Sequence, residues 1–198
     1  MKRLLTLLLA CILCTACTPV APSPAMYVEP AQLNQDEEAI ARLLGANTEQ
    51  LIYDFRVDQT VQSFTLTVYH LEEGAWTVFN GGGGYAWSDT EGRLALDFDV
   101  IPDGMRVAIQ HGDRLSATSH TAAELMDTEN TSRSTSRLSN RTALVYEQEV
   151  PLVIQTYTNR MEHRSYSPES FFTPELFADG GFTDVYAVTI MFSQTQLQ

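Results

Sequence analysis

Cysteine is scarce in this chain, and its distribution excludes several kinds of site. The 198 residues include three cysteines, Cys11, Cys14 and Cys17, all within the first 17 positions. The rest of the chain therefore has no residue for a disulfide, a thiolate metal site or a cysteine nucleophile. A domain of this length without disulfides depends on its hydrophobic core, which is feasible at this size.

Positive charge is also scarce, because Lys2 is the only lysine and 12 basic residues face 25 acidic ones. The formal net charge is −13. A nucleic-acid partner is excluded, since phosphates require a basic surface. An anionic bilayer would repel such a surface as well. Membrane attachment would therefore have to come from a lipid and not from the protein surface.

The chain also lacks an apolar run long enough to span a bilayer, which takes about 20 residues. Its longest candidate is Leu4–Leu13, preceded by the basic residues Lys2 and Arg3 and followed by small residues. A short basic segment, a short apolar segment and small residues are typical of a signal peptide. The sequence therefore predicts export from the cytoplasm.

The end of this segment resembles the lipobox of bacterial lipoprotein precursors. The matching residues are LCTAC, 13–17, although Cys14 stands where an aliphatic residue is usual. The resemblance implies a signal peptide over residues 1–16 and a fatty-acid (palmitate) anchor on Cys17. The chain would then be attached to the cell membrane, facing outside the cytoplasm. A second match to the lipobox, LLAC at residues 8–11, makes Cys11 the alternative lipidation site. The other alternative is an ordinary secretory signal without a lipid anchor.

Proline-rich sequence follows the predicted anchor. Residues 18–30, TPVAPSPAMYVEP, contain four prolines. This composition predicts a tether over residues 17–32 that holds the domain away from the bilayer. The remaining residues, 33–198, have the length of a single domain.

One short helix is predicted at the start of this domain, in LNQDEEAIARLLG, residues 33–45. Asn34 is a suitable N-cap, and Glu37, three residues later, completes a capping box. Gly45 is a natural C-cap. The apolar stripe of the helix consists of Ile40, Leu43 and Leu44.

From about residue 50 onward the apolar period changes to two, which is typical of strands. The predicted strands are residues 51–57, 61–71, 75–79, 93–98, 105–110, 114–118, 143–158 and 184–192. The strand at 143–158 contains Pro151, where it could be broken in two. Residues 120–141 are rich in Ser, Thr and Asn and predict a long polar loop. Together these patterns predict an all-β fold, an antiparallel β-sandwich or jelly-roll-like domain.

Four consecutive glycines, Gly81–Gly84, form the most unusual stretch, WTVFNGGGGYAW. A phosphate-binding loop would need a lysine and a following helix, and neither is present. The glycines are interpreted as a flexible connection between strands. Tyr85 and Trp87 are candidate ligand-binding residues because sugars stack on exposed aromatic rings, whereas Trp76 is assigned to the core or to a sheet face.

Catalytic and metal motifs are weak. There is no G-x-S-x-G motif, and each histidine is expected at the surface or in a turn: His70, His111, His120 and His163. Asp97, Asp99 and Asp103 resemble a calcium loop only loosely, because Ile101 and Pro102 stand where a ligand and a glycine are needed. No cofactor, metal site or catalytic residue is therefore predicted.

Other charged groups are interpreted as solvated surface. These are the alternating pairs Asp97/Asp99 and Glu147/Glu149, and the arginines that recur every four residues, Arg133, Arg137 and Arg141. If ordered, the three arginines would be the most basic local patch and could meet an anionic partner.

The sequence therefore predicts a lipid-anchored extracytoplasmic binding or interaction module whose partner is an unidentified protein or glycan. A carbohydrate-binding module that uses Tyr85 and Trp87 is the first alternative. An enzyme with a non-local site and a structural accessory of an envelope complex also remain open.

Overall fold

The computed structural model describes residues 25–45, 49–84, 89–122, 125–128, 130–161 and 164–196. Eleven strands lie in these ranges: β1 (Tyr27–Pro30), β2 (Glu49–Arg56), β3 (Ser63–Glu72), β4 (Ala75–Gly84), β5 (Glu91–Phe98), β6 (Gly104–His111), β7 (Arg114–Thr121), β8 (Ser132–Arg137), β9 (Thr142–Ala143), β10 (Val150–Thr158) and β11 (Asp184–Ser193). One α-helix, α1 (Gln35–Gly45), precedes β2. None of the helices in the described ranges is both long and apolar enough to cross a membrane.

The strands form two antiparallel sheets that pack face to face. The first sheet has the order β7-β6-β5-β2-β1-β9, and the second has the order β4-β3-β11-β10-β8. The prediction of an all-β sandwich is confirmed. Inward-facing side chains of both sheets form the main core, for example Leu94 and Leu96 from β5 with Val188 and Ile190 from β11. Strand β11 is central in its sheet, as its apolar run predicted.

The helix begins as the capping pattern predicted. The Asn34 side-chain oxygen accepts hydrogen bonds from the backbone N–H groups of Asp36 and Glu37, each at 3.0 Å. The Glu37 carboxylate accepts the Asn34 backbone N–H at 2.8 Å. Two residues of the apolar stripe, in contrast, do not pack on the core, because Ile40 is 58% exposed and Leu43 is 85% exposed.

The glycine run is not a loose connection, and that prediction was wrong. Gly81–Gly84 belong to β4, where Gly81 pairs with Thr67 and Gly84 pairs with Thr65. A side chain could not replace the hydrogen atom of Gly81, because its φ is +119° and a Cβ would lie 2.5 Å from the carbonyl oxygen of Leu66. Close approach to β3 therefore explains why glycine occupies this position.

Part of the predicted polar loop is also a strand. Residues Ser132–Arg137 form β8, which pairs with β10 from Ser132↔Thr158 to Arg137↔Val153. The basic patch is largely neutralised, since Arg133 forms an ion pair with Asp99 at 2.6 Å. Arg141 forms another with Glu29, at 2.7 Å.

Two predicted boundaries also shift. Strand β1 lies within the residues assigned to the tether, and Val28 is fully buried, so the folded part includes Tyr27–Pro30. The strand predicted over residues 143–158 divides before Pro151: β9 belongs to the first sheet and β10 to the second. Pro151 itself lies at a register shift of β10.

A second apolar layer covers the outer face of the second sheet. Two short 3-10 helices, Pro168–Phe172 and Pro174–Phe177, contribute Phe171 and Phe177 to this layer. The Trp76 ring stacks on Phe171 at 5.1 Å between ring centroids, and its indole N–H donates to the Phe171 carbonyl at 2.8 Å. Trp76 thus lies on a sheet face.

Candidate functional site

Several of the predicted site residues lie outside the described residues. These are the lipidation site Cys17, the alternative Cys11, and the aromatic pair Tyr85 and Trp87. His163 is also outside them. The lipid anchor and the aromatic sugar platform therefore stay predictions.

Two of the described histidines are held by carboxylates. The His70 ring lies between Glu72, at 3.2 Å from Nδ1, and Asp184, at 3.1 Å from Nε2. The Nδ1 atom of His111 lies 2.7 Å from an Asp89 oxygen. His111 is buried and lies at the end of β6, next to the turn that leads into β7, so of the expected surface or turn position only the turn is found.

The predicted carboxylate groups do not converge on a metal site. Within the described ranges, no three His, Cys, Asp or Glu side chains are arranged to hold a metal ion. Asp99 pairs with Arg133 at 2.6 Å, and Asp103 accepts the backbone N–H of Met126 at 2.6 Å. Asp99 is thus engaged with β8, and Asp103 with the segment that follows β7.

A cleft opens between the two sheets at the edge where β4 and β7 lie, and we call it the edge cleft. Its volume is about 200 Å³. Inward-facing residues from β3 and β6 form its apolar wall: Phe64, Leu66, Val68, Met105 and Val107. The polar lining consists of Asn80, Thr118 and His120, and Gly81 contributes backbone without a side chain.

The opposite edge of the sandwich is closed by buried side chains. Leu138 and Leu144 are buried where the chain passes from β8 to β9 and onward to β10. The backbone N–H of Leu138 donates to the Leu152 carbonyl at 2.8 Å. The edge cleft lies on the other side of the core, between β4 and β7.

His120 is the unusual polar group in the edge cleft. Its Nε2 atom is buried and has no hydrogen-bond partner among the described residues. Burial lowers the pKa of His120 below its ordinary value, so the ring is neutral at neutral pH. A buried polar atom without a partner costs about 1–3 kcal/mol. A ligand that supplies the missing hydrogen bond would recover part of this cost.

This arrangement is suited to binding. Small-molecule sites are typically apolar clefts with a few polar groups that fix the ligand's orientation. In a neutral imidazole the Nε2 atom either donates or accepts one hydrogen bond, depending on the tautomer. The described lining includes no carboxylate that would orient His120 as a catalytic base.

The sequence did not distinguish His120 from the other histidines. Its special environment depends on residues 64–68, 105–107 and 118–120, which only the sheet packing brings together. One available signal was the position of His120 close to the end of a short Ser- and Thr-rich strand. That pattern alone does not show which histidine faces the core.

No protein-family model matches the chain, and searches of curated proteins and of solved structures gave no significant match.

Proposed function

We propose that this protein is a lipid-anchored extracytoplasmic binding module. Its ligand is a small apolar molecule with one hydrogen-bonding group, and its binding site is the edge cleft. The observation that carries the proposal is the unpartnered Nε2 atom of His120 in an otherwise largely apolar cleft. The lipid anchor is proposed on the basis of the lipobox resemblance at Cys17.

The size of the cleft limits the ligand. An apolar protein cavity of about 150 Å³ accommodates benzene. The edge cleft, at about 200 Å³, therefore accommodates one ring with a small polar substituent, or a short branched chain.

Charge around the cleft disfavours an anion. A neighbouring depression, which also includes His120, is lined by three aspartates and one arginine: Asp97, Asp99, Asp103 and Arg106. The chain as a whole has a net charge of −13. A neutral ligand such as an alcohol or a phenol fits this environment better than a carboxylate does.

The proposal predicts discrimination between two molecules of equal size, phenol and toluene. We expect the full chain to bind phenol about tenfold more tightly than toluene, because only phenol can pair with His120. In His120→Phe this preference should disappear, since the imidazole is replaced by a ring of similar size. Isothermal titration calorimetry or NMR titration measures both affinities.

Ser119→Ala is the matched control, since Ser119 neighbours His120 in β7 and does not line the edge cleft. The control should keep the preference for phenol. If wild-type protein bound neither molecule, or if His120→Phe still preferred phenol, the edge cleft would not be the binding site that we propose.

A further inference from the structure

A second cleft lies where the chain passes from β9 to β10, and we call it the outer cleft. It is bounded by residues 142–151 and by the 3-10 helix Pro168–Phe172, and its volume is about 200 Å³. It shares no lining residue with the edge cleft. Two apolar side chains of its wall remain open to solvent, since Val145 is 49% exposed and Phe172 is 63% exposed.

The Glu149 carboxylate in this cleft is only half satisfied. Its Oε1 atom accepts a hydrogen bond from the Tyr69 hydroxyl at 2.9 Å. Its Oε2 atom is buried and has no partner among the residues that the structure describes. Burial, together with the neighbouring Glu149, raises the pKa of Tyr69 to about 12, so the phenol remains a donor at neutral pH. Tyr69 therefore fixes one oxygen, while the other oxygen lacks a donor.

The charges of the outer cleft are all negative. Glu169 lines the cleft together with Glu149, and the described lining contains no basic residue. Neither glutamate takes part in the ion pairs found in the described ranges. The complementary group is a cation, and a cation with an N–H donor would also supply the hydrogen bond that the Oε2 atom lacks.

The Phe172 ring favours an organic cation with an apolar body. An exposed aromatic face attracts ammonium groups and also packs against apolar rings. A bare metal ion would need several oxygen ligands, and the described residues form no such group. The volume corresponds to one ring with a short chain, since about 150 Å³ accommodates benzene.

We propose that the outer cleft is a second binding site, for a small primary amine with an apolar ring or chain, whose ammonium group donates to Glu149. This site goes beyond the function proposed for the edge cleft and does not depend on it. It is also independent of the lipid anchor.

The test compares phenethylamine with phenylacetate, which has a similar ring and chain and the opposite charge. We expect wild-type full chain to bind phenethylamine and not phenylacetate. Glu149→Gln keeps an acceptor for Tyr69 and removes the charge, and it should weaken phenethylamine binding about tenfold or more. Glu175→Gln is the control, because it changes the net charge equally at an exposed residue that does not line the cleft.

Several results would overturn this proposal. They are no phenethylamine binding by wild-type protein, equal binding of phenylacetate, or unchanged affinity in Glu149→Gln. An arginine-containing peptide that bound these residues while phenethylamine did not would overturn the assignment to a small molecule. His120→Phe should retain phenethylamine binding, so that failure at one cleft is distinguished from failure at the other.

Discussion

Three buried side-chain atoms lack a hydrogen-bond partner in the described part of the chain: His120 Nε2, Glu149 Oε2 and Thr189 Oγ1. Such atoms are uncommon in folded proteins, because leaving them unpaired destabilises the native state. Two of the three line clefts of similar size. Thr189 is fully buried in β11 and lines neither cleft, and nothing in the structure explains its unpaired hydroxyl.

At the same scale, His120 makes stability depend on pH. Burial lowers its pKa in the folded state, so protonation favours the unfolded chain, in which the pKa is about 6.5. The stabilisation is therefore present above this pKa and is lost as the pH falls below it. We expect the urea midpoint of wild-type protein to fall between pH 7.5 and pH 5.5.

His120→Phe serves as the comparison for this prediction, because it removes the titrating group and keeps a ring. The fall in its midpoint over the same pH range should be smaller than that of the wild type. Equal falls in the two proteins would show that other groups cause the pH dependence.

At the scale of elements, β4 is an irregular edge strand. Its pairing with β3 shifts register twice, between Leu66 and Thr67 and between Val68 and Tyr69. Bulges of this kind twist an edge and reduce its pairing with other chains. The glycine at position 81 lets β4 approach β3 closely at one of these shifts.

Gly81→Ala should therefore be strongly destabilising. Both the positive φ and the 2.5 Å approach of a Cβ to the Leu66 carbonyl oxygen oppose the change. The expected loss is about 2–4 kcal/mol in the free energy of unfolding. Gly74→Ala is the matched control, since Gly74 has φ +82° and no atom within 4 Å of the added Cβ. Urea unfolding of both variants measures the difference, and equal losses would contradict the steric explanation.

The elements that the sequence predicted are those with strong local signals. Helix α1 was predicted from Asn34 and Glu37, whose hydrogen bonds are local, and β3 from its strict alternation. Strand β8 was missed because its Ser and Arg residues give no apolar pattern, and pairing with β10 decides its conformation. The exposure of Leu43 also depends on tertiary packing.

The two clefts could not be predicted from the sequence, for a related reason. The edge cleft combines residues between Phe64 and His120, and the outer cleft combines residues between Leu138 and Phe172. Neither group has a fixed spacing along the chain. Only the sheet order brings each group together.

At the scale of the whole molecule, the two clefts lie at opposite edges of the sandwich. The edge cleft lies between β4 and β7, and the outer cleft lies next to β9 and the start of β10. Two ligands could therefore occupy the domain without contact. Occupancy of one cleft would leave the other accessible.

The proposed attachment to the membrane also concerns the whole molecule, and the lipobox resemblance makes a direct prediction. Cells that express the chain and receive a fatty-acid label should incorporate the label into the wild-type protein and into Cys11→Ser. Cys17→Ser should lose it, because the proposed acyl acceptor is absent. Label that persisted in Cys17→Ser and disappeared in Cys11→Ser would move the anchor to Cys11.

Strand β1 has a mechanical consequence for an anchored domain. If the chain is attached through Cys17, a force that pulls on the domain reaches β1 through Met26, whose carbonyl accepts the Leu144 backbone N–H at 3.0 Å. Strand β1 lies between β2 and β9, and the Arg141 guanidinium is 4.0 Å from the Tyr27 ring centroid and also pairs with Glu29. Tension along β1 therefore loads the contacts on both of its sides at once. The hydrogen bonds of β1 to its two neighbouring strands would then be loaded together, in shear, and would not break one after another.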